Sequence, residues 1–199
     1  VPRSGEAITA IVAVWRDYIT SWTYLWEGRP ALADQVARPQ QARWEIQVGR
    51  RESSIALMGG ALAAACWQQD LRRDATALLA DRLDVLERGG HADGLAFAYV
   101  TAARMAVAAG DEKHAFKYLE VLAAHGEGRG IVRLVFTSLA ERVRLHCAGK
   151  RPVQASALMS ELTARVECSA VSELLLPLVR LEIVMAQAHV AIATGDLAG

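Results

Sequence analysis

Apolar residues return at i, i+3, i+4 and i+7 through most of the chain, while strict alternation over strand lengths is hard to find. That period predicts an all-α protein, with helices near 6–26, 30–38, 41–66, 71–88, 94–109, 112–125, 130–148, 152–167 and 171–194. Turn signals fall at Gly28-Arg29, Gln69-Asp70, Gly110-Asp111, Gly149-Lys150 and Gly195-Asp196. Their spacings of 41, 41, 39 and 46 residues are those of a repeat.

A finer register agrees. Ala75, Ala115 and Ala155 lie 40 residues apart, and each opens a second helix whose next core position is Leu79, Leu119 or Met159. Twelve residues earlier stand Ala63, Ala103 and Val143, small side chains where a first helix approaches its mate. Gly59, Tyr99 and Leu139, then Cys66, Ala106 and His146, then Leu122 and Leu162, continue the interior set. Arg82, Arg142 and His146 break it, so there the register slips or the long side chains snorkel outward.

A helix pair cannot bury its own apolar face, so pairs must stack. The expected architecture is a superhelical stack of antiparallel helix pairs, a tetratricopeptide-like solenoid with a repeat of about 40 residues and a concave wall built by the first helices. Residues 1–199 then form one helical-repeat domain, with 51–199 as the repeats and 1–50 as divergent N-terminal helices or a cap.

Composition narrows the class. Hydrophobic residues make up 53% of the 199, against 5 Pro and 15 Gly, which suits a large core and not a disordered chain. Lys plus Arg (22) balance Asp plus Glu (22), so nothing marks a nucleic-acid-binding surface. Charged or amide residues interrupt every apolar run before the roughly 20 residues of a membrane span. Cys66, Cys147 and Cys168 have no close-paired spacing and read as buried, reduced thiols of a cytoplasmic protein. The chain opens on Val and stops just past a helix-turn signal at Thr194-Gly195-Asp196. It therefore reads as a fragment of a longer protein, with Val1–Ser4 as vector residues.

Candidate chemistry is sparse. Trp15, Tyr18, Trp22 and Trp26 share one face of the first helix; such a stripe can stack on a planar ligand, but its simpler reading is core or interface. The groove-facing position nine residues into each repeat holds Ala64, Arg104 and Arg144. Arg104 and Arg144 on neighbouring rungs would offer rigid donors to a carboxylate, phosphate or acidic peptide, against the plainer reading of solvated arginines or pairs with Glu141 or Asp111. Phe97, Trp67, Tyr99 and Thr137 fall nearby in projection and complete a mixed pocket. His91, His114, His125, His146 and His189 show no metal-ligand spacing, so no metal is expected. No G-x-x-x-x-G-K-[ST] or G-x-S-x-G is present, and Gly126-Glu127-Gly128-Arg129-Gly130 is a turn between helices with no strand before it. Neither a catalytic residue nor a cofactor is expected.

The run Leu62-Ala63-Ala64-Ala65-Cys66-Trp67, followed by Asp70-Leu71-Arg72-Arg73-Asp74-Ala75 and Leu78-Leu79, resembles a tetratricopeptide-type repeat. Ala98-Tyr99-Val100-Thr101-Ala102-Ala103-Arg104-Met105-Ala106 with Gly110-Asp111 and Ala115 is a closer match. With its Ala-, Leu- and Arg-rich style, the stretch 50–199 is similar to the helical region of MalT-like activators, large ATP-binding regulators of the LuxR type. The resemblance implies a sensor region that binds an inducer or a regulatory protein in its groove and biases self-association, while ATP and DNA are handled elsewhere in the parent. A general protein-interaction scaffold unconnected with transcription is the alternative.

Overall fold

A computed structural model describes the backbone of residues 4–89, 91–168 and 176–195, and the side chains from residue 12 onward except 90, 169–178 and 196–199. The described residues form ten helices and no strand. These are α1 (Ser4–Trp26), α2 (Pro30–Val48), α3 (Ser53–Gln68), α4 (Arg72–Leu79), α5 (Leu83–Gly89), α6 (Ala92–Ala108), α7 (Glu112–Arg129), α8 (Val132–Ala148), α9 (Pro152–Cys168) and α10 (Leu176–Thr194). The chain divides after Ala109 into two compact units. The expected helix start at 171–175, Asp196 and the proposed vector residues 1–3 lie outside the described residues.

One turn recurs. Gly28, Asp70, Gly110 and Lys150 are left-handed, with φ of 69°, 60°, 78° and 56°. After three of them the next N–H bonds back five residues: Arg29 to Tyr24 O (2.8 Å), Leu71 to Cys66 O (2.9 Å) and Arg151 to His146 O (2.9 Å). This closure satisfies a helix-end carbonyl that has no partner within its own helix. The residue after each left-handed position starts the next helix: Ala33, Ala75, Ala115 and Ala155 donate to Arg29, Leu71, Asp111 and Arg151 at 3.0–3.2 Å. All four alanines are fully buried. Twelve residues before them, Ser21, Ala63, Ala103 and Val143 are buried too. The register thus extends into the first hairpin, where Ser21 Oγ donates to Ala33 O at 3.1 Å and pins α1 on α2.

In the first unit α3 packs against α1, α2, α4, α5 and α6. Every residue from Ile55 to Cys66 is buried, as a helix enclosed on all sides requires. Its small residues permit close crossings: a Cβ on Gly60 would meet Gly94 O of α6 at 3.3 Å.

Two expected boundaries move. Helices expected over 30–38 and 41–66 are redrawn: α2 runs through Pro39 to Val48. Proline there removes one helix hydrogen bond, at a typical cost of about 3 kcal/mol. The buried stripe Ala33, Ala37, Gln41 and Trp44 continues on both sides of it and holds the helix. The break comes instead at Gly49, whose φ of 96° suits glycine. The single helix expected over 71–88 is split by Asp81 (φ 59°) into α4 and α5.

That split turns Arg82 inward. It does not snorkel: its side chain is fully buried and ion-paired with Glu45 of α2. The guanidinium also donates to Leu78 O and, at 3.5 Å, to Arg50 O. Glu45 is held in turn by Gln41 Nε2 at 2.6 Å.

In the second unit α8 packs on α7, α9 and α10, and α9 also meets α10. Ser138 Oγ donates to Leu119 O at 2.7 Å, joining α8 to α7. The core unites Val135, Phe136, Leu139 and Val143 of α8, Ala155, Met159 and Leu162 of α9, and Val179 and Ala186 of α10. Val179 and Ala186 stand 40 residues past Leu139 and His146, so α10 keeps the register of a first helix.

Candidate functional site

In the first unit, Tyr99 is buried and its hydroxyl donates to Glu87 of α5, which makes it a core residue with its polar end already used. Phe97 and Arg104 are half-buried on α6, and Trp67 is half-buried at the end of α3 with the Arg72 guanidinium 5.7 Å from its ring centre.

The stripe on α1 splits between core and cleft. Tyr18 is buried, and Trp22 meets Trp26 edge-on with ring centres 6.1 Å apart. Trp15 packs with His91 at 5.0 Å and lines a cleft of about 190 Å³ with Glu52, Ser53, Leu57, Leu86 and Gly89. The volume suits one side chain or a small ligand better than the few hundred Å³ of a typical small-molecule pocket. Glu52 is already engaged there: its Oε2 accepts from Ser54 N (2.8 Å) and Ile55 N (3.2 Å), capping α3.

Arg38 ties three helices together. It donates to Asp34 of α2 and Asp74 of α4, both at 2.8 Å, and to Cys66 Sγ of α3 at 3.2 Å. Burial pushes the Cys66 thiol up to about 11, against the pull of Arg38 and helped by the two aspartates. The thiol is therefore neutral near pH 7 and is not a nucleophile.

In the second unit, Thr137 and Arg144 take part in a polar seam along α8 that the sequence did not reveal. Arg144 donates to Glu141 Oε1 through Nε (2.9 Å) and its terminal nitrogen (2.5 Å), so the pairing with Glu141 is what this arginine makes. Thr137 Oγ1 donates to Glu182 Oε1 of α10 at 2.7 Å. Among the described residues, Glu182 Oε2, shut off from solvent, has no hydrogen-bond partner. The one legible signal for Glu182 was an acid inside the apolar run Leu181–Met185.

His146 is half-buried and lies 4.8 Å from the Phe116 ring centre. Burial lowers its basicity, and the charges of Arg151 and Arg142 lower it further. Arg151 reaches over Phe116 and pairs with Glu112. On α10, Leu181, Val184, Met185 and Ile192 are exposed.

Among the described residues no three or more His, Cys, Asp or Glu side chains converge on a metal position. No described helix is long and apolar enough to cross a membrane. Set against known protein families, curated proteins and solved structures, the chain matches none of them.

Proposed function

We propose that the chain is a tetratricopeptide-like helical-repeat module that binds a partner, an inducer or a regulatory protein, and carries out no catalysis. The observation behind this is the recurrence, at steps of 42, 40 and 40 residues, of a left-handed turn residue (28, 70, 110, 150) followed five residues on by a buried alanine. Repeats of this length are how stacks of helix pairs are specified, and such stacks work by offering a continuous wall of first-helix side chains. Arg104, half-buried on α6 of the first unit, and Arg144, on α8 of the second, hold equivalent places in that register; an acidic group read by Arg144 would have to displace Glu141. The uncovered apolar stripe of α10 fits the same reading, because a first helix in such a stack has a further face to bury.

The narrower form of the proposal makes this the sensor region of a MalT-like, LuxR-type activator. Its support is the likeness of residues 55–125 to tetratricopeptide-type units together with the balanced charge, 22 against 22, of a segment that leaves DNA to another domain. A general interaction scaffold shares the repeat but not the context.

Two measurements test these readings. In a thermal-shift screen of anionic metabolites and acidic peptides, a selective binder should raise the melting temperature. Arg104→Ala and Arg144→Ala, made separately, should each be tested for loss of that rise with the fold kept; a rise unchanged in a variant removes that arginine from binding. Sequence flanking the gene segment decides the narrower form: a phosphate-binding loop upstream and a helix-turn-helix downstream support the activator, and their absence leaves the scaffold.

A further inference from the structure

The α8–α10 contact half-buries a carboxyl group, with one oxygen hydrogen-bonded across the pair and the other shut off from solvent. Glu182 receives a hydrogen bond from Thr137 across the helix pair, and among the described residues its second oxygen, shut off from solvent, has no donor. An ionised carboxylate offers about four acceptor sites and is costly to enclose with most of them empty. The charges set against it from α8 are Arg133 and Glu141, both buried, and Glu141 is already paired with Arg144. From α9, the other helix packed on α10, the side chains in the shared core are Leu158, Met159, Leu162 and Val166. On α10 itself Arg180 is exposed, and half-buried His189 lies two turns further along.

We propose that Glu182 is a proton-operated latch between α8 and α10: with the carboxyl protonated α10 stays seated, and with it ionised the seat loosens. Burial pushes this carboxyl from its ordinary 4.5 to about 7; Glu141 adds to the rise, while the Thr137 hydrogen bond and Arg133 oppose it. The sign follows from which state holds the proton more tightly. A seated α10 does, so its advantage is complete below pH 4.5 and is lost as pH rises to about 7. The latch therefore works between pH 4.5 and about 7, and it does not depend on whether the repeats bind a partner.

Hydrogen exchange of α10 amides at pH 5.5 and pH 8, corrected for intrinsic exchange rates, tests this directly. The two titration positions give a roughly 25-fold rise in the opening equilibrium of α10 between those pH values. Glu182→Gln keeps an acceptor for Thr137 but cannot ionise, so its opening should stay level with pH. A wild-type protein without the rise, or a Glu182→Gln variant that shows the same rise, overturns the latch. Should the variant fail to fold, a carboxyl carbon titration of Glu182 by NMR in the wild-type protein decides. A midpoint near 7 supports the latch and one near 4.5 overturns it.

Discussion

Gly59 of α3 faces the Arg82 guanidinium so closely that a Cβ on residue 59 would lie 2.7 Å from the arginine's terminal nitrogen and 3.1 Å from its central carbon. The missing side chain is the space through which a charged residue enters the first unit and reaches Glu45. Desolvation lowers the basicity of Arg82 and Glu45 opposes that loss, so the pair stands only while both partners and the gap persist.

Gly59→Ala is therefore expected to destabilise the protein by about 1–3 kcal/mol, although alanine is intrinsically the better helix former by about 1 kcal/mol. Gly128→Ala is the matching control: that glycine lies within α7 with nothing near its Cβ position, and the change should stabilise by up to about 1 kcal/mol. Urea denaturation of both variants measures the contrast; equal effects at the two positions would mean Arg82 does not occupy the gap.

The four buried alanines make a second set. Ala33→Leu, Ala75→Leu, Ala115→Leu and Ala155→Leu should each cost about 1–3 kcal/mol by overpacking a tight site. Ala31→Leu, Ala77→Leu and Ala157→Leu, at exposed positions, should stay within about 0.5 kcal/mol of the parent. Melting curves that failed to separate the two groups would refute the register at 33, 75, 115 and 155.

Thiol labelling should follow exposure and ionisation together. Cys168 is exposed, Cys147 is half-buried with its thiol shifted upward by burial, and Cys66 is buried and shifted to about 11. Iodoacetamide at pH 8 should modify Cys168 first, then Cys147, and Cys66 only once the protein unfolds. Mass spectrometry of timed samples gives the order, and early labelling of Cys66 would contradict the Arg38 clamp.

His146 contributes to the pH dependence of stability with a sign opposite to that of Glu182. Its folded-state basicity lies below the ordinary 6.5 because burial, and then Arg151 and Arg142, disfavour the imidazolium. The unfolded chain thus takes up the proton first, and the stability present above pH 6.5 is lost as pH falls toward the folded-state value. His146→Phe, which keeps a ring against Phe116, should flatten that fall. Melting temperatures from pH 7.5 down to 5, measured with and without the His146 change in a Glu182→Gln background, provide the check; an unchanged pH dependence would assign the acid sensitivity elsewhere.

Much of the fold was legible because it is local. The turns at Gly28, Gly110 and Gly149-Lys150 announce themselves in glycine, and the alanines after them mark close crossings whatever lies beyond. Candidate site residues were less legible. Tyr99 was legible as an interior position and is buried with its hydroxyl on Glu87, and the pairing of Arg144 with Glu141 was one of the readings its spacing left open; the Thr137–Glu182 contact across α8 and α10 was not legible. Spacing along one helix reports which face a residue shares, not which partner already stands there.

By itself, then, the sequence determined the helical class, the turns at 28, 70, 110 and 150, and the register of small residues, since helix periodicity and tight turns arise from contacts that close within a few residues. Only the tertiary structure decided that α2 runs through Pro39, that Arg82 turns inward to Glu45, and that Glu182 lies beside Thr137 with one oxygen unpartnered among the described residues. Those outcomes depend on helices that lie tens of residues apart in the chain, which exclude water from a group and thereby set the cost of its charge.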